Sequence, residues 1–266
     1  MYQFKYQPTP KNILLDLMGV NADQCLSTAH LGLISDAFQI SINNLRVTLN
    51  RLSTTGLVTT DERGIYRLNT QALEKRNFIN RWRDSTLAQP NWDGSWLACH
   101  LPKGGDRTQR NNSHKALDWF GFKAGLDQLW VRPNNLGKST KDLLVELRKI
   151  GIESNTHCFV LSEVADQLAS QWAISLWDIR SLDANYEKLI SALTMSEKHL
   201  QSKSMSESLA ETYQLGGEAI HCLATDPLLP KEIRPSQSYE ALKAAMLRYD
   251  ELGRNIWLEQ LQPLTN

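Results

Sequence analysis

Between Ser41 and Ser53 the chain reads SINNLRVTLNRLS, and these side chains are of the kind that read nucleic-acid base edges. Ile42, Leu45, Leu49 and Leu52 recur at i, i+3, i+7 and i+10, which predicts one buried stripe of a helix capped by Ser41. Asn43, Asn44, Arg46, Val47, Asn50 and Arg51 then face outward. Asn can pair bidentately with adenine, Arg with guanine, and Val can touch a thymine methyl group. Arg63, in the turn Asp61-Glu62-Arg63-Gly64, stands where a hairpin wing reaches phosphate or minor groove. The same pattern also describes a solvated surface helix, and helix–helix–hairpin modules of this size also dock proteins.

Other constellations point less firmly to chemistry. Cys99-His100 and His157-Cys158 fall on two strand-like segments. Adjacent strand residues face opposite ways, so each face would offer about two ligands where zinc wants three or four. Cys25, Cys99, Cys158 and Cys222 form no C-x-x-C pair and read as small buried hydrophobes. Lys103-Gly104-Gly105-Asp106-Arg107 precedes a helix, whose N-terminal N–H groups could hold a phosphate with help from Lys103, Arg107 and Arg110; a plain loop fits as well. Asp93, Asp118 and Asp127 are the carboxylates a metal-dependent nuclease would use, yet nothing in their spacing gathers them. There is no G-x-S-x-G, H-E-x-x-H or Walker sequence. The expectation is a protein with no catalytic residues, no metal and no cofactor.

Composition sets the frame. The 266 residues are 41% hydrophobic and 22% charged, as in an ordinary globular protein of one to three domains. No membrane-length apolar run and no signal peptide is present, so a cytoplasmic location is expected. Net charge is zero, but residues 1–90 hold ten Lys/Arg against seven Asp/Glu, and residues 41–83 hold eight against three. A basic module on a neutral chain fits a nucleic-acid-binding head.

The elements that must position these residues follow from periodicity. Lys11–Met18 and Ser27–Phe38 read as helices before the one at Ser41, with strands at Leu57–Thr60 and Ile65–Leu68 behind it. Together they make a winged helix-turn-helix, and 69–89 a polar connecting helix. The middle of the chain alternates strand Ser95–Leu101, helix Arg107–Trp119, strands Phe120–Lys123 and Gln128–Arg132, helix Lys141–Ile150 and strand Thr156–Leu161. The order βαββαβ predicts a ferredoxin-like sandwich with helices on one face of its sheet. From Gln167 onward the pattern is helical.

Asn91-Trp92-Asp93-Gly94-Ser95-Trp96, Trp119-Phe120-Gly121-Phe122 and Leu129-Trp130-Val131-Arg132-Pro133-Asn134 together resemble the PaaX family, repressors of phenylacetate catabolism and their relatives. Leu176-Trp177-Asp178 and Asp226-Pro227-Leu228-Leu229-Pro230 look like further elements of that family. Leu45-Arg46, Asn50-Arg51-Leu52 and Gly56-Leu57-Val58 are similar to its recognition helix and wing entry. The resemblance implies a homodimer that binds palindromic operators and releases them to an aryl- or acyl-CoA thioester. It also implies a middle domain akin to the small ferredoxin-like nucleases of CRISPR adaptation. The sequence departs from the family in a wing turn with one arginine, and in Gly217, Ala219, Ile220 and His221 where aromatic and arginine residues are usual; the second departure puts the identity of the effector in doubt.

The resulting expectation is an α+β chain of four segments: a winged helix-turn-helix over 1–70, a connecting helix over 71–90, a ferredoxin-like domain over 91–165, and a helical dimerisation and effector domain over 166–266. Its function is that of a DNA-binding repressor of a catabolic operon, with double-stranded operator DNA as partner. Lys103, Arg107, Arg110, Trp130 and Arg132 are the candidate effector residues, although the motif tryptophans also suit packing. The alternatives are a non-catalytic protein-binding adaptor and a nuclease built on the middle domain.

Overall fold

The computed structural model describes residues 8–19, 25–61, 64–83, 91–102 and 106–261. It is a mixed α and β structure with two antiparallel sheets, as the sequence predicts. Contacts divide the chain into two units, one of Met1–Arg83, Lys188–His221 and Ala241–Asn266, the other of Asp84–Glu187 and Cys222–Glu240. This division cuts across the expected boundary at residue 166. Among the described residues no helix is long and apolar enough to cross a membrane.

In the first unit, helix α1 (Pro10–Leu17) starts with proline, where no N–H partner is needed, and Thr9 Oγ1 accepts from the Asn12 amide at 3.2 Å. Strand β1 (Cys25–Ser27), a 3₁₀ turn (Thr28–His30), helix α2 (Leu31–Phe38), helix α3 (Ile42–Thr54) and strands β2 (Val58–Thr60) and β3 (Ile65–Leu68) follow. The strands lie in the order β1-β3-β2. The expected helix from Ser27 is corrected here. Residues 25–27 pair with β3, and the Ser27 amide donates to His30 Nδ1 at 3.3 Å, so Ser27 caps a 3₁₀ turn and the α-helix waits until Leu31. Helix α4 (Thr70–Asn80) ends in a 3₁₀ turn, Arg81–Arg83, earlier than the expected residue 89; residues 84–90 lie outside the described set.

The core of this unit draws on more than the head. Ile13, Leu14, Leu17, Ile34, Leu45, Leu49 and Leu52 pack with Leu209 of the helix Met205–Ala224, with Trp257 of the helix Ser238–Gln260, and with Leu261 just beyond it. Phe38 meets Tyr213 edge-on at 5.1 Å and stacks on Trp257 at 6.0 Å. Tyr213 Oη donates to Asp16 Oδ2 at 2.6 Å, and Ser206 Oγ to the Asp36 carbonyl at 2.9 Å.

The second unit contains β4 (Trp96–His100), α5 (Arg107–Trp119), β5 (Lys123–Leu126), β6 (Leu129–Pro133), α6 (Thr140–Lys149), β7 (His157–Leu161) and α7 (Asp166–Ser175). Strand order is β5-β6-β4-β7, the ferredoxin-like arrangement of a βαββαβ chain. The first of the two middle strands begins at Lys123 rather than Phe120, because Phe120 and Gly121 close helix α5 by bonding back to Leu117 and Asp118. The sheet face opposite His114 of α5 is also covered. Trp96, Ala98 and Val131 pack there against Trp172 of α7, Trp177 and Leu229. The cysteines require a second correction. Cys99 and Cys158 stand directly opposite in the β4–β7 ladder and are joined by a disulfide, a pairing that their separation of 59 residues does not announce.

Candidate nucleic-acid interface

Residues Gln39–Ser41 turn the chain from α2 into α3, with Gln39 in the left-handed region (φ 54°) and its side chain donating to the Asp36 carbonyl at 2.8 Å. Ser41 caps α3, its hydroxyl accepting from the Asn44 amide at 3.3 Å. Leu45, Leu49 and Leu52 are buried, and at 100° per residue the opposite side of α3 carries Asn43, Val47, Asn50 and Thr54, flanked by Arg46, Asn44 and Arg51. Ser41, Asn43, Asn44, Arg46, Val47, Asn50 and Arg51 are all exposed, Val47 at 49%. Arg46 and Arg51 make no ion pair or side-chain hydrogen bond among the described residues, and α3 contains no acidic residue. Ile42, expected in the core, is 39% exposed; it opens the helix, where no preceding turn covers it. Arg63 lies outside the described residues.

The expected effector residues are not brought together in this way. Lys103 lies outside the described residues. Arg107 and Arg110 are exposed on α5, but Asp106 already places a carboxylate on that helix's N-terminus, accepting from the Gln109 amide at 2.7 Å. A phosphate would have to displace it. Trp130 is half-buried with its ring 5.0 Å from that of His114. Arg132 is 1% exposed and committed elsewhere, so it leaves the ligand set. Its guanidinium donates to the carbonyls of Phe120, Pro133 and Pro227 and to Asn135 Oδ1. Burial lowers its pKa to about 9, with the Asp226 charge acting in the opposite sense.

The carboxylates weighed for a nuclease also stay apart. Asp93 accepts from the Ser95 amide and hydroxyl, and Asp118 pairs with Lys123 at 2.9 Å. Among the described residues no three His, Cys, Asp or Glu side chains gather as metal ligands.

The motif residues of the middle and later chain do meet. Asn135 Nδ2 donates to the Leu228 carbonyl at 2.8 Å, and Trp177 Nε1 to the Gly121 carbonyl at 3.2 Å. Asn134 Nδ2 donates to Ser95 Oγ at 2.9 Å, and Trp92 Nε1 to the Ser95 carbonyl at 2.6 Å. Asp226 accepts from Tyr186 Oη at 2.5 Å and from Arg234 at 2.6 Å, while Arg234 also holds Asp183. Burial, with Asp226 alongside, raises the Tyr186 pKa and keeps that hydroxyl a donor.

Residues 89–173 match the family model described as the PaaX protein central Cas2-like domain. Over that stretch the chain is similar to the central domain of PaaX proteins. The PaaX match covers the strands and helices from β4 to α7 and contains three of the motif segments named above. The solved structure of the uncharacterized protein Rv0674 from Mycobacterium tuberculosis is similar along 93% of this chain and 96% of its own, at 20% identity and a TM-score of 0.61; this is a likeness of fold. No curated protein matches the sequence.

Sequence reasoning missed β1, the Cys99–Cys158 bond and the part that Tyr213 and Trp257 take in the core beneath the helix-turn-helix. Only long-range packing places these, and neither period nor spacing signals them.

Proposed function

We propose that the protein is a transcription regulator of the PaaX kind, a repressor that binds double-stranded operator DNA through α3. The observation that carries this reading is the exposed, acid-free outer face of α3, whose two arginines are unpaired among the described residues. The PaaX match supports regulation of transcription rather than catalysis. The protein acts as a homodimer, setting two recognition helices about one helical turn (~34 Å) apart on a palindrome. An acyl- or aryl-CoA thioester binds the conformation whose heads are wrongly spaced and so releases DNA by its differential affinity. Arg107, Arg110 and Trp130 remain its candidate contacts, with Lys103.

Binding of the purified protein to a fluorescent fragment of its own upstream intergenic DNA, across a salt series and a panel of CoA thioesters, tests this. Affinity should fall steeply with salt. Arg46→Ala or Arg51→Ala should weaken binding roughly 5- to 100-fold with little change in folding. Wild-type binding by both variants removes α3 as the reading helix. Lack of preference over random DNA in every condition turns the reading to a protein-binding adaptor, for which exposed Ile42 and Val47 would be the contacts.

A further inference from the structure

The two sulfurs of the Cys99–Cys158 bond differ in access. Cys99 lies on β4, a central strand, and is fully buried. Cys158 lies on β7, which ends the strand order of the sheet, and is half-buried between exposed His157 and Phe159. The unit does not depend on the bond for a core, since Trp96, Val131, Trp172 and Trp177 pack on the other sheet face. Four cysteines in 266 residues are also far from a disulfide scaffold. Register keeps the two residues opposite each other whatever their oxidation state, because β4 and β7 pair over all five positions and α6 packs against β7. Opened thiols therefore stay poised to close again.

We propose that Cys99–Cys158 is a reversible thiol–disulfide exchange site that takes a dithiol at Cys158. One thiolate of the dithiol attacks Cys158 Sγ. The bond to Cys99 breaks, and Cys99 leaves with the electron pair and takes up a proton. The second thiol of the dithiol then attacks the mixed disulfide, releasing Cys158 as a thiol and leaving the reductant as its own disulfide. The protein gains two electrons and two protons, and the dithiol loses the same. With the bond open, β7 is held by backbone pairing, by α6 and by Leu161 against the tryptophan cluster, so the edge of the sheet around Cys158 loosens. Trp130 stands opposite Cys99 on the remaining side and shares its face of the sheet, so its fluorescence reports the change.

The test uses the full chain, equilibrated without denaturant in mixtures of reduced and oxidised dithiothreitol, quenched in acid and labelled under denaturing conditions. Labelled cysteines should rise from two (Cys25 and Cys222) to four in one reversible step. Oxidised glutathione added to the reduced protein should leave its adduct on Cys158. Hydrogen exchange over His157–Leu161 should quicken on reduction, the melting temperature should fall by roughly 10 °C, and Trp130→Phe should abolish most of the fluorescence change. Labelling of all four cysteines at every ratio overturns the proposal, as does reduction that needs denaturant, or an adduct on Cys99. Cys99→Ala keeps the test open if Cys158→Ser fails to fold: it should leave Cys158 labelled at every ratio, and continued protection of Cys158 would also overturn the proposal.

Discussion

Gly121 and Gly94 both lie in the left-handed region, at φ 73° and 87°, and both belong to motifs that carry the PaaX resemblance. They differ in what a side chain would meet. A Cβ on Gly94 has open space around it, whereas a Cβ on Gly121 would stand 2.7 Å from Pro227 Cα and 2.9 Å from the Pro227 carbonyl oxygen. Gly94→Ala therefore costs only the left-handed backbone, about 1 kcal/mol. Gly121→Ala adds a collision with main chain, which no rotamer change relieves. Ordinary carbon contacts begin near 3.5 Å, so Pro227 must retreat by roughly 1 Å.

That retreat strains the bond from Arg132 Nη2 to the Pro227 carbonyl (3.1 Å) and that from Asn135 Nδ2 to the Leu228 carbonyl (2.8 Å). A buried polar group left without its partner costs about 1–3 kcal/mol. With one such loss, the total for Gly121→Ala is about 2–4 kcal/mol. At about 2–4 °C per kcal/mol for a chain of this size, Gly121→Ala should melt about 10 °C below wild type and Gly94→Ala about 3 °C below. Thermal unfolding followed by circular dichroism compares the two directly. Melting of Gly121→Ala within 2 °C or so of Gly94→Ala would refute the assignment of Gly121 to a close approach of two main-chain segments.

Further expectations rest on the same unit. Burial holds the Arg132 pKa down to about 9, a penalty of about 5 kcal/mol on its charged form, which Arg132→Met removes while taking the guanidinium away from the Phe120 and Pro227 carbonyls and from Asn135 Oδ1. The two effects largely offset, so urea unfolding should show Arg132→Ala, which also leaves a cavity, less stable than Arg132→Met by about 2–3 kcal/mol; equal stabilities would contradict this. Burial tends to raise the Asp183 pKa, but hydrogen bonds from Ser238, Ser236 and Arg234, with the Arg234 charge, bring it below 3.8. Its contribution is therefore present above pH 3.8 and lost as pH falls through the lower folded value. Asp183→Asn should cost roughly 1 kcal/mol at neutral pH, a modest figure for a carboxylate 23% exposed, and the gap to wild type should close in acid; a gap that widens there would be inconsistent with the shift.

Legibility in the sequence tracked how local each feature is. The outer face of α3 follows from a period of 3.6 and a serine cap, both contained in thirteen residues, and each exposed position expected there is exposed. Ile42 failed because periodicity assigns a side but not a neighbour, and the first residue of a helix has no preceding turn against it. The order βαββαβ was legible for the same local reason, and strand adjacency came from the known pairing of that order. What that adjacency does to Cys99 and Cys158 was not, because placing them opposite each other needs the register to a single residue. Arg132 was misread because an arginine is expected at the surface. Its burial depends on the Phe120 carbonyl twelve positions upstream and the Pro227 carbonyl ninety-five downstream.

Arg132 also separates two things that a family resemblance tends to merge. The motif residues of the central and later segments are held by one another: Arg132 by Phe120, Asn135 and Pro227, Trp177 by Gly121, and Asp226 by Tyr186 and Arg234. Residues bound this way serve folding, since replacing any one takes a polar partner from the others. They therefore argue for the architecture and say little about what the protein recognises. Under the proposed function, recognition uses side chains that the fold leaves uncommitted, and on α3 those are Asn43, Arg46, Val47, Asn50 and Arg51. The same reasoning moves effector choice away from Arg132. It leaves exposed and half-exposed positions such as Arg107, Arg110 and Trp130, which can change without disturbing the buried junction. Two proteins of this architecture can thus share every buried motif and still answer to different operators and different ligands.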